Sequence, residues 1–181
     1  METGYAPGSG RALPPTRDRK GGVMKRAILL AIVAALAFGV VAPAASAQPS
    51  VFRAVLSGGG EVPPTDSRAR GVATFMVNAD ETELTYRLVL ANIQDVVQAH
   101  IHVGASDVNG PVVVFLLHPV DAPLGRFSGV VAQGTVTASD LVGPLAGHPL
   151  SDLVAEMEAG NTYANAHTVV HPGGEIRGQI F

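Results

Sequence analysis

The chain has 181 residues, no cysteine and no tryptophan, with 12 basic against 15 acidic side chains and a formal charge of −3. The absence of cysteine excludes a disulfide framework, a thiolate metal site and a lipoprotein attachment cysteine. All six basic residues other than those of the first 26 positions are arginines, so the segment from Gln48 onward sets six arginines against thirteen acids, a formal charge of −7. A domain so acidic, with no basic cluster, is a poor partner for nucleic acid or anionic lipid.

Residues 1–23 are rich in Gly, Pro and Arg and carry no apolar periodicity. They read either as non-native, with Met24 the true start, or as an extended n-region. Residues 24–47 have the layout of a signal peptide: Lys25 and Arg26, an apolar run over 27–42, then Ala45-Ser46-Ala47 before Gln48. The run is shorter than the roughly 20 residues of a spanning helix. An uncleaved anchor is the alternative. Cleavage would leave residues 48–181 as one secreted or periplasmic domain, with no membrane attachment and long enough to bury its own core.

Strand patterns dominate that domain. Residues 52–56 alternate and run into Ser57-Gly58-Gly59-Gly60, and Glu61-Val62-Pro63-Pro64 must be extended or turned. Residues 72–77 and 84–90 flank Asn78-Ala79-Asp80-Glu81 as a hairpin, with Leu84, Tyr86, Leu88 and Leu90 on one face. Residues 96–103 form a strand carrying His100 and His102, and Asn109-Gly110 marks a turn before an apolar strand over 112–117. Another strand spans 127–137. Residues 150–158 are the one helical candidate, with Ser151 as N-cap and Gly160 past the end. Strands over 162–169 and 175–181 close the chain around His171-Pro172-Gly173-Gly174. About eight short strands with regular turns predict an antiparallel, Greek-key sandwich or barrel with one short helix.

Taken in order, Glu61-Val62-Pro63-Pro64, Gly71, His100-Ile101-His102-Val103-Gly104, Asn109-Gly110-Pro111-Val112-Val113, Tyr163-Ala164-Asn165-Ala166-His167-Thr168 and Gly174-Glu175-Ile176-Arg177-Gly178-Gln179 resemble the CHRD (chordin) domain. The resemblance runs from Phe52 to Phe181 and is specific as a linked set. It implies an all-β, immunoglobulin-like β-sandwich in an extracellular protein, of the type found in many bacterial secreted proteins. It does not imply an enzyme, and the growth-factor antagonism that gives the family its name does not follow from domain likeness. His171 departs from the pattern, which has Asn before the Pro-Gly turn.

Four of the six histidines lie in the two stretches 99–104 and 165–179. Residues two apart on a strand share a face, so His100 and His102 project together, and on the later strand Tyr163, Asn165 and His167 do the same. If the two strands are neighbours, three imidazoles converge, a donor set suited to zinc or copper. Glu175 would then be a fourth ligand or would fix a histidine tautomer, and Arg177 is spaced to pair with Glu175. The alternative is a hydrogen-bonded polar seam of His, Tyr, Asn, Glu and Arg that needs no metal.

The first segment is also similar to the His-x-His strand of copper–zinc superoxide dismutase. This chain departs from that enzyme in having no cysteine and no bridging histidine followed by a zinc-ligand loop. No catalytic residue is assigned, because no serine sits in a nucleophile elbow. Glu61 reads as a loop anchor, and His118 and His148, each before a proline, as exposed loop residues. The sequence thus predicts a secreted, non-enzymatic module acting on an unidentified extracellular protein or small ligand. A three-histidine copper or zinc protein is its alternative.

Overall fold

A computed structural model describes residues 49–123 and 125–181. The signal-peptide readings and residues 1–23 lie outside them. Among the described residues the chain forms strands β1 (Ser50–Ser57), β2 (Arg70–Val77), β3 (Leu84–Gln94), β4 (Val96–Val103), β5 (Val112–Leu117) and β6 (Arg126–Val136). Helix α1 (Leu150–Glu158) and strands β7 (Thr162–Thr168) and β8 (Ile176–Gln179) follow. Three single-turn 3₁₀ segments, at Gly58–Gly60, Ala138–Asp140 and Gly143–Leu145, complete the order.

All pairings are antiparallel and join the eight strands in one sheet, in the order β5-β4-β7-β8-β1-β2-β3-β6. This is the all-β antiparallel fold that the strand pattern predicts, with its layers made by one sheet that curls on itself. The curl brings the two ends of the sheet together: the Tyr86 hydroxyl on β3, next to the end strand β6, donates to the Leu116 carbonyl on the other end strand, β5, at 2.8 Å. Register shifts in β3–β6 between Leu88 and Val89 and between Leu90 and Ile93 add the local twist that such curvature needs.

Alternation decides what goes inside. Leu84, Leu88, Leu90 and Ile93 of β3 are buried with Phe52, Ala54 and Leu56 of β1, Ala73, Phe75 and Val77 of β2, and Ala99 and Ile101 of β4. Each fully buried aliphatic side chain of this kind contributes about 1.5–3 kcal/mol. The helix adds Leu150, Leu153, Val154 and Met157, a stripe at helical spacing, to the same cluster.

The helix corrects one expectation. Its N-cap is Pro149, not Ser151, and no side chain caps it. Proline's fixed φ suits the entry to a helix. Asp152 in the first turn favours the positive helix end, and His148 binds it through Nδ1 at 2.7 Å. At the far end Gly160 takes the predicted left-handed conformation, with φ +65°.

Candidate metal centre

β4 and β7 are neighbours, with His102 opposite Tyr163, His100 opposite Asn165 and Gln98 opposite His167. Both strands turn small or apolar residues to the core, namely Ala99, Ile101, Ala164 and Ala166. Their other face carries His100, His102, Tyr163, Asn165 and His167, and this face is buried as well. The imidazoles of His100, His102 and His167 converge there, one ligand nitrogen of each lying within 4.8 Å of the others.

Backbone carbonyls orient two of the rings. His102 Nδ1 lies 2.9 Å from the Gly110 carbonyl and His167 Nδ1 2.9 Å from the Pro172 carbonyl. A carbonyl only accepts, so both rings carry their proton on Nδ1 and leave Nε2 as an acceptor. His167 Nε2 accepts from His100 Nδ1–H at 3.1 Å. That leaves His100 Nε2 bare, buried and without a hydrogen-bond partner. His102 Nε2 lies 3.1 Å from Asn165 Oδ1, and with the ring proton on Nδ1 this contact is a hydrogen bond only when the amide is turned to present its NH₂ group.

Electrostatics keep the rings uncharged. Burial, then the neighbouring His167, His102 and His118, push the pKa of His100 down from 6.5 to about 3. Burial lowers His102 and His167 too, against the opposing pull of the Gly110 and Pro172 carbonyls. Neutral imidazoles are the form that binds a metal.

The fit to one ion is close but not complete. Bonds of about 2.0–2.1 Å around a tetrahedral ion set its nitrogens about 3.3 Å apart. The His100–His167 pair is already at that spacing through His100 Nδ1, whose proton must move to Nε2 for the ring to bind, whereas nitrogens up to 4.8 Å apart must close by more than an ångström.

A stack of three groups supports His102. Its ring lies parallel to Tyr163, 4.6 Å between centroids and 6° between planes, and the Arg177 guanidinium carbon sits 3.3 Å above the Tyr163 ring centre. Arg177 is 1% exposed and donates to Asn109 Oδ1 and to the Ala105 and Val108 carbonyls at 2.7–3.2 Å. It thereby ties down the loop that ends in Gly110. Only glycine fits there, since an added Cβ would lie 1.6 Å from the Val103 carbonyl oxygen.

Glu175 departs from both roles read for it. Its Oε1 accepts from Ser67 and its Oε2 from Thr168, each at 2.6 Å, so it touches neither the imidazoles nor Arg177. The carboxyls that act on Arg177 at longer range are Glu61 and Asp107, residues that sequence reasoning did not place near the site. Glu61 is buried, and its carboxyl takes the Val62 N–H in keeping with the anchoring role expected of it, while its Oε1 has no partner. The two orienting carbonyls were also missed. Their signal lay in the Asn109-Gly110-Pro111 and His171-Pro172-Gly173 turns, each a few residues past a histidine strand.

An antiparallel β-module with a buried three-imidazole cluster on one face is the class that fold and site define. The chain matches the CHRD domain family over residues 52–180 and belongs to that family. No match was found among curated proteins or among solved structures.

Proposed function

We propose that this CHRD domain is an exported, non-enzymatic binding module whose ligand is one copper or zinc ion held by His100, His102 and His167. The observation that carries the reading is the convergence of three buried imidazoles, one ligand nitrogen of each within 4.8 Å of the others, with the His102 and His167 rings held at Nδ1 by carbonyls. Metal-ligating histidines are commonly oriented this way by their second nitrogen. Copper and zinc both suit neutral imidazole donors. Export rests on the leader pattern of residues 24–47.

The direct His100–His167 hydrogen bond favours a second reading, in which the cluster is a seam that fixes strand order and the module binds through another surface.

Elemental analysis separates the two. Protein recovered from the periplasm or medium, its N-terminus sequenced to test for cleavage before Gln48, is expected to carry about one equivalent of copper or zinc. A His100→Ala/His102→Ala variant should carry none, because three ligands are reduced to one. Metal-free protein that takes up neither ion on titration, together with a folded but strongly destabilised double variant, would instead establish the seam.

A further inference from the structure

We propose that the cleft between the Glu61–Asp66 loop and the turn at residues 170–174 is a second binding site, which takes an alkylammonium group with Glu61 as its counter-charge. The cleft encloses about 640 Å³, and Glu61, Asp66, Asn109, Val170 and Gly174 are among its lining residues. It holds none of the three imidazoles, although Asn109 and Pro172 on its wall belong to the loops that orient them, and it does not depend on the metal reading.

The argument starts from Glu61. Its side chain is 6% exposed and its Oε1 is buried without a hydrogen-bond partner. A buried carboxylate oxygen with no donor is costly, so the group holds a proton or recruits a donor. The nearby donors are engaged elsewhere. Ser67 and Thr65 hydroxyls go to Glu175, and three of the five Arg177 N–H groups go to Asn109 and two carbonyls, with none hydrogen-bonded to Glu61. In the free protein the proton answers the need: burial pushes the Glu61 pKa up to about 7 despite Arg177 and the Val62 N–H.

Both Glu61 and Gly174 line the cleft, and the unpaired Oε1 is buried beneath the Gly174 backbone, so an ammonium bonds it by displacing that turn. Gly174 has φ +127°, and a Cβ there would come within 2.5 Å of Oε1. The bare backbone of this turn is thus the only cover over the carboxyl that the position admits.

The ligand class follows from the walls. Asp66 adds a second carboxyl, while no lysine or arginine lines the cleft, which disfavours anions. Pro63, Pro64, Pro172 and Val170 supply apolar surface for a methylene chain. An ammonium brings one positive charge and three donors on such a chain. A divalent cation is less suited, because two carboxyls beside a guanidinium fall short of its usual six or more oxygens.

The group has two sources, a free small amine or a lysine side chain of a partner protein. The test follows backbone amide shifts of the intact domain during titration with n-butylammonium chloride, sodium chloride, n-butanol and a blocked Gly-Lys-Gly peptide. Saturable shifts at Thr65, Asn109, Gly173 and Gly174 are expected with the ammonium and the peptide, and not with butanol or sodium chloride. Tighter binding of the peptide assigns the site to a protein partner, and tighter binding of the amine to a free ligand. The neutral, near-isosteric Glu61→Gln should weaken ammonium binding about tenfold or more, the scale of a lost charge-assisted bond. Wild-type protein that shows no saturable shift, binds butanol equally well, or behaves like Glu61→Gln overturns the proposal. The wild-type shift map stands as a test even if the variant fails to fold.

Discussion

Arg177 shows how one residue can organise a site that it does not enter. Its guanidinium holds Ala105, Val108 and Asn109, and through that loop positions the Gly110 carbonyl that fixes the His102 ring. Its flat face rests on Tyr163, whose other face stacks on His102. Lysine can keep the charge but not the fork or the stacking. Arg177→Met removes the charge and leaves two loop carbonyls without their donor. Breaking a buried, charge-assisted network of this kind costs about 3–5 kcal/mol, which urea denaturation of the variant can read. A loss below about 1 kcal/mol would show that the loop is held by other means.

At the scale of elements, the curl of the sheet depends on few contacts across its ends. The end strands β5 and β6 face each other over a cleft of about 690 Å³ lined by residues 116–120 and 130–133. The Tyr86–Leu116 hydrogen bond reaches across beside it. Tyr86→Phe keeps the ring and deletes this bond, so it should cost about 1 kcal/mol. Faster amide exchange of β5 relative to β1 would locate the loss at the seam, and uniform change across the sheet would refute it.

The same scale explains what was legible beforehand. Alternation along β4 and β7 suffices to put His100, His102, Tyr163, Asn165 and His167 on common faces, and the pairing of these strands completes the cluster. Alternation failed for Glu175 and Arg177 because β8 begins at Ile176. Glu175 stands ahead of the strand, where its side chain follows the turn to Ser67 and Thr168. The buried state of Glu61 was not legible, because it depends on residues more than a hundred positions away folding over a proline-rich loop.

For the whole molecule, the buried titratable groups pull stability in opposite directions. An unfolded histidine takes up a proton near pH 6.5, whereas folded His100 refuses it until about pH 3, and His102 and His167 are shifted in the same direction. Between these values the unfolded state binds more protons. The stability these rings contribute is therefore complete above pH 6.5 and is lost as pH falls. Glu61 opposes them: folded, it keeps its proton up to about pH 7, while unfolded it releases it near 4.5, so its contribution declines as pH rises through that window. Three imidazoles shifted one way oppose a single carboxyl. Metal-free protein should lose stability on acidification from pH 6.5 to 5, with His100 alone contributing up to about 1.4 kcal/mol per pH unit. Urea denaturation at pH 5, 6 and 7 in the presence of a chelator measures this slope. Glu61→Gln should make it steeper by removing the opposing group, and His100→Ala/His102→Ala should flatten it. A slope that is flat or reversed in the wild-type protein would mean that the imidazoles accept protons in the folded state, and the neutral cluster on which metal binding depends would not exist at that pH.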